Sequence, residues 1–328
     1  MRLKLIRDET DFDFMALGKP AMTVSGVLMA LSVVALLILG LNFGIDFRGG
    51  SMIMAETEGS AEIATYRDAL GTADLPDYSV TAISNPGAAL TGTQRNAVMI
   101  RIGQADGDEA MQADAIERAR MSLEAALPSV RFLSVESVGA KVSGELVWAG
   151  ILAVVSAVAA VLFYIWLRFE WQFSLGAVAA LVHDVTLTLG LFAVIQLEFN
   201  LSIIAAILTI VGYSLNDTVV VFDRVRENLR RFKTRPLDEV LNLSINETLS
   251  RTLMTSLTTL VALIALYVLG GEVIRGFTLG MIWGVVVGTY SSVFIAAAIL
   301  SRLGVTRDTG ESAGPTVGGV QFGSPDAP

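Results

Sequence analysis

Six stretches of about twenty apolar residues run through this chain, at 21–41, 146–167, 173–195, 201–222, 252–269 and 277–303. Each has the length a helix needs to cross the ~30 Å hydrocarbon layer of a bilayer. In lipid every backbone polar group must be bonded internally, so such segments form helices packed as a bundle. Composition agrees, with 17% charged and 53% hydrophobic residues, against about 25% charged in a typical soluble domain. Zero cysteines exclude disulfides, thiolate metal sites and thiol nucleophiles. A net charge of −9 leaves no cationic surplus to neutralise phosphates, which argues against nucleic acid as a partner. No GxxxxGK[ST], HExxH or GxSxG pattern occurs, and the chain has one histidine. We therefore expect no enzyme activity, no cofactor and no metal; any work must be driven by an ion gradient or by a partner.

The first span follows a segment 1–20 and has no small-x-small cleavage site after it, so it reads as an uncleaved anchor at 21–41. Residues 45–145 have the composition of a soluble domain, and 146–303 hold the other five spans. Lys and Arg set the orientation. One set of short segments holds Arg2, Lys4, Arg7, Lys19, Arg168, the cluster Arg224, Arg226, Arg230, Arg231, Lys233 and Arg235, then Arg302 and Arg307; the opposite short loops hold only Arg275. Both termini and a basic loop at 223–251 are thus expected in the cytoplasm, and 45–145 in the periplasm. That domain carries 15 acids against 8 bases, and so −7 of the −9. Its alternating segments 51–57, 78–84, 97–103 and 130–138 read as strands. Helices at 60–70 (Ser60 capping, Gly71 stopping) and 108–126 fall between them, with Asn-Pro-Gly at 85–87 as a turn. This is the order of a ferredoxin-like α+β sandwich. The expected fold is a mainly α membrane protein with six transmembrane helices and that domain between helices 1 and 2. The Gly-, Pro- and Ser-rich tail 304–328 is expected to be disordered and cytoplasmic.

A charge kept at the centre of a span costs about 2.5–3.5 kcal/mol on insertion scales, so it needs a partner or a task. His183 and Asp184 in the third span, Asp217 in the fourth and Arg251 at the mouth of the fifth are such residues. In the fourth span Thr209, Tyr213, Asn216, Val220 and Asp223 share one helical face, flanked by Ser214 and Asp217. A polar stripe of this kind must look at protein or water. Hydrogen-bonded glue between helices accounts for its Thr, Ser and Asn; it accounts poorly for an ionisable acid, and Asp217 is read as an ion- or proton-handling group. Asp223 reads as an interfacial charge beside Arg224. Ser244, Thr248, Arg251, Thr255 and Thr258 make a second stripe. Arg251 either reaches Asp217 or snorkels to headgroups. With Arg251 close, ionised Asp217 is favoured; with the helices apart, burial favours the protonated acid. His183 and Asp184 point about 100° apart, need not touch, and read as hydrogen-bonding groups first and a secondary relay second. Gly276, Gly280, Gly284 and Gly288 recur every four residues, the small-xxx-small mode of close helix packing, against either this chain or another subunit.

Four blocks then stand out: GIDFRGG at 44–50, containing Asp46, Gly49 and Gly50; VGYSLNDTVVVFDRVREN at 211–228; SINETLSRTLMTSLTT at 244–259; and GTYSSVFIA at 288–296. In this order and separation they resemble the SecF branch of the SecD/SecF family, within the resistance-nodulation-division superfamily. The resemblance covers roughly 12–303. It implies a partner subunit, SecD, in a twelve-span SecDF complex beside the SecYEG channel, with YajC a further candidate partner and a translocating preprotein as cargo. It also implies that proton flow, or sodium flow, drives late steps of protein export, and that the family's membrane Asp and Arg fall on Asp217 and Arg251. A small-solute or drug exporter of the same superfamily is the alternative, although those pumps normally join both six-span halves in one chain.

Overall fold

A computed structural model of the chain describes residues 10–57, 62–83, 96–105, 109–271 and 273–305. The expected N-terminal residues 1–9, the Ser60 cap, the 85–87 turn, Glu272 and the tail from 306 onward lie outside the described residues. Six helices are long and apolar enough to cross a membrane: Gly18–Leu39, Lys141–Arg168, Trp171–Ile195, Leu201–Arg231, Leu237–Leu269 and Arg275–Leu303. We label the helices α1 (Gly18–Leu39), α2 (Ile45–Arg48), α3 (Ile63–Gly71), α4 (Glu109–Ala126), α5 (Ala140–Arg168), α6 (Trp171–Ile195), α7 (Leu201–Arg231), α8 (Leu237–Leu269), α9 (Arg275–Ser291) and α10 (Ala297–Leu303). The sixth span is not one regular helix. A π-helical turn, Ser292–Ala296, joins α9 to α10.

Helices α6, α7 and the α9–α10 unit form the interior of the bundle, while few residues of α1 and α5 are buried. Val27, Leu31, Leu37 and Ile38 on α1 and Leu152, Val155 and Trp166 on α5 point outward, as apolar residues do where the surroundings are hydrocarbon. The glycine stripe of α9 packs inside the chain. A Cβ at Gly276 would meet Ile203, one at Gly284 would overlap Ile210, and one at Gly288 would come within 3.0 Å of Ser214. Without side chains on that face, α9 and α7 approach closely.

The largest departure from expectation lies between the fourth and fifth spans. Of the basic loop expected at 223–251, only residues 232–236 are non-helical. Beyond the apolar stretch, Val225, Leu229, Val240, Leu241 and Ile245 continue at helical spacing and are all buried, so α7 and α8 run on and pack as a hairpin. Polar contacts bind the two extensions. Arg224 Nε donates to Glu247 Oε2 at 2.7 Å, and Asn228 Nδ2 donates to Ser244 Oγ at 3.0 Å and to Glu247 Oε2 at 2.7 Å.

The inserted unit between α1 and α5 contains the strands β2 (Gly50–Thr57), β3 (Tyr78–Ile83), β4 (Asn96–Ile102) and β5 (Arg131–Val138), with α3 and α4 between them. The sheet order is β3-β4-β2-β5, and every pairing is antiparallel. Alternate residues Ile53 and Ala55, then Val98, Ile100 and Ile102, pack under Tyr66, Leu70, Ala115, Ala119 and Leu123 of the two helices. A two-residue parallel ladder, β1 (Asn42–Phe43) with β6 (Glu198–Phe199), ties the entry of this unit to the α6–α7 connection.

Candidate functional site

Helix α7 carries the fourth-span candidates, and its geometry sorts them into two groups. Ser214, Asp217 and Thr218 are buried (2, 3 and 1% exposed). Thr209, Asn216 and Asp223 are exposed and Tyr213 is half-buried. The stripe predicted from spacing therefore lies on the open flank of this bundle, beside a cleft between α5 and α7 lined by Tyr164, Ile165, Leu215, Asn216 and Val219. Tyr213 leans towards α8, its hydroxyl 3.4 Å from Ser256 Oγ, and Ser256 continues to Thr289 on α9 at 2.6 Å. Thr209 folds back onto the Ala205 carbonyl.

Asp217 sits inside, and its Oδ2 has no hydrogen-bond partner among the described residues. A buried polar atom left without a partner normally costs about 1–3 kcal/mol, more for a charged group. Arg251 is exposed and is not ion-paired with Asp217 among the described residues. Thr255 bonds the Arg251 carbonyl. Asp223, read as an interfacial charge, pairs with Arg168 at the end of α5 at 2.9 Å.

His183 and Asp184 are each 1% exposed, and they touch: Nδ1 lies 2.9 Å from Oδ1. Adjacency along the helix did not predict this, since the backbone directions diverge; the imidazole swings back along α6 to reach the carboxylate. Ser214 of α7 and Ser291 of α9 both donate to Asp184 Oδ2, at 2.5 and 2.7 Å. Three helices therefore converge on one carboxylate. One turn on, Thr218 and Ser292 hydroxyls meet at 3.1 Å, beside the π turn.

The GIDFRGG block builds the joint at the end of the bundle where the inserted unit attaches. Asp46 Oδ2 accepts the Leu201 backbone N–H at 2.9 Å, while Asn200, the N-cap of α7, accepts from Ile203 N. Two of the four unpaired donors of α7 are thereby satisfied. Gly49 and Gly50 have φ of +73° and +110°, and a Cβ on Gly50 would overlap the Ile102 carbonyl. Only glycine fits where β2 starts against β4. Arg101 on β4 pairs with Glu198 at 3.0 Å and reaches the Phe43 carbonyl. Residue spacing did not point to this pair. The available signal was an arginine inside the apolar run AVMIRI at 97–102.

Comparison with known proteins follows the same blocks. The family described as "Protein export membrane protein SecD/SecF, C-terminal" matches residues 119–306, and the "SecD/SecF GG Motif" matches 34–60. The protein translocase subunit SecF of Cereibacter sphaeroides is 51% identical over 326 residues, covering 99% of each chain. That of Rhodobacter capsulatus is 49% identical over 94% of this chain and 93% of its own. The crystal structure of SecDF from Thermus thermophilus, a translocon-associated membrane protein, is similar with a TM-score of 0.78 and 34% identity; it covers 92% of this chain, which spans 39% of the SecDF chain. Six membrane-length apolar helices and these relatives make this a multi-pass protein of the bacterial inner membrane. With half its residues identical over the full length of such a relative, and both family blocks matched, the chain belongs to the SecF family of protein translocase subunits.

Proposed function

We propose that this chain is the SecF half of a SecDF assembly that draws on a proton gradient, or a sodium gradient, to promote late steps of protein export. Asp217 is the ion-accepting carboxylate and Arg251 the charge that favours its ionised form. The observation that carries this reading is the buried carboxylate oxygen of Asp217, which has no partner among the described residues, on a helix packed against α5, α6, α8 and α9. One charge crossing 100 mV delivers about 2.3 kcal/mol, so a few ions per cycle suffice to rock one half-bundle against another.

The exposed stripe Thr209, Asn216 and Asp223 supports assembly with a second six-span half, SecD, which would cover polar groups that lipid cannot. The inserted unit is read as a ferredoxin-like domain on the periplasmic side, with both termini and the α7–α8 hairpin tip in the cytoplasm. Its βαββαβ order and antiparallel β3-β4-β2-β5 sheet support the first part, and the distribution of Lys and Arg supports the second. The SecYEG channel, YajC and the emerging preprotein are the proposed neighbours. The test is export into vesicles with and without an imposed gradient. Asp217→Asn should still co-isolate with SecD yet lose gradient-dependent stimulation, whereas full stimulation by that variant would exclude the role.

A further inference from the structure

The hydrogen-bond chemistry around Asp184 leaves one group unaccounted for. Asp184 Oδ2 receives two serine hydroxyls and Oδ1 faces His183 Nδ1. Where Asp184 is ionised it can only accept, and Nδ1 then carries the hydrogen. In a neutral imidazole the other nitrogen, Nε2, is then a bare lone pair. That atom is buried and has no partner among the described residues. The ring lies against Tyr290, with centroids 6.0 Å apart, and the Tyr290 hydroxyl is turned away to Ser25 and the Ala21 carbonyl.

Charge accounting sharpens the point. Helix α1 has no charged residue beyond Lys19, α5 none between Glu145 and Arg168, and the α9–α10 unit none between Arg275 and Arg302. On α7 the only charge before Asp223 is Asp217, with Tyr213 its only other titratable group. Among the described residues, none of these helix segments brings a cation to Asp184 other than its own histidine. An ionised Asp184 beside neutral His183 leaves a net negative charge where charges are costly. One proton on Nε2 turns the pair into an imidazolium–carboxylate with no net charge.

We infer that His183 Nε2 is a second proton-binding site of this chain, linked through Asp184 and Ser214 to the helix that bears Asp217. The inference rests on the reading of the chain as an ion-coupled subunit, and it adds a second proton-accepting position. Ser214 is three residues before Asp217 on α7, so a shift of α7 that follows ion binding at Asp217 pulls a hydroxyl away from Asp184. The pair then loses a donor, and its hold on the proton changes.

The chain has a single histidine, so one spectroscopic probe reads the site without ambiguity. The full-length chain is labelled with ¹⁵N-histidine, purified through a histidine-free tag, combined with unlabelled SecD and placed in lipid vesicles. As the pH is lowered stepwise, the ring signals should pass from the Nδ1–H neutral tautomer to imidazolium. Asp184→Asn should lose the imidazolium signal over the same range, and Asp217→Asn should keep it. A wild-type ring that stays neutral throughout, or one that charges equally in Asp184→Asn, overturns the inference. The wild-type titration needs no variant to fold. The readout is also separate from export. A neutral ring alongside lost stimulation in Asp217→Asn removes only this inference, and a charging ring alongside unchanged stimulation removes only the earlier reading.

Discussion

At the scale of single residues, the side chains that matter are those whose chemistry conflicts with their surroundings. Asp217 was legible in the sequence because an acid inside an apolar stretch is expensive; its missing partner was not, since spacing along α7 cannot say what faces it. The predicted stripe and Asp217 turned out to look in different directions, the stripe outward and Asp217 inward. His183 and Asp184 were legible as oddities, but their contact depends on a side-chain rotation that a sequence does not encode. The glycines make the sharpest predictions. Gly284→Val drives two methyls into Ile210, overpacking that should cost about 1–3 kcal/mol and lower the unfolding temperature of the purified protein. Gly276→Ala meets only the flexible end of Ile203 at 3.3 Å and should leave that temperature nearly unchanged. Equal effects at both positions would contradict the packing of α9 on α7.

At the scale of elements, two joints decide how the membrane bundle and the inserted unit act on each other. One is the cap of α7: Asp46, from the block that leaves α1, holds the first N–H of the helix bearing Asp217. The other is the Arg101–Glu198 pair, which holds β4 of the inserted unit to the α6–α7 connection. These two contacts connect the start of α7 and the α6–α7 connection to the inserted unit. Asp46→Ala should loosen the first turn of α7 by about 1 kcal/mol, as for other lost caps. Hydrogen exchange should read it as faster exchange at residues 201–204, with residues 225–231 at the other end of α7 unaffected; unchanged exchange at 201–204 would show that Asp46 does not cap the helix. The strands and the two longer helices of the inserted unit were legible from alternation and amphipathic period, because one face is buried and the other is not. The α7–α8 extensions were not legible. Their high density of charge hides a buried seam of Val225, Leu229, Val240, Leu241 and Ile245 that only becomes visible when both helices are considered together.

At the scale of the whole molecule, the chain is a half-bundle with an open polar flank and an α/β unit fastened at one end. Its orientation is testable because it contains no cysteine. With Glu117→Cys on α4 and Arg230→Cys near the α7–α8 turn, a membrane-impermeant maleimide added outside intact cells should label the first and spare the second. The opposite pattern would invert the topology. Beyond orientation, Asp217 is the proposed point at which an ion gradient enters the mechanism. The most direct measurement is ion flux itself, followed with a pH-sensitive dye and then a sodium-sensitive one, in vesicles holding the complex with wild-type or Asp217→Asn chain. The account predicts gradient-driven flux of one of the two ions through the wild-type complex and its loss in Asp217→Asn. Equal flux through both complexes would contradict it.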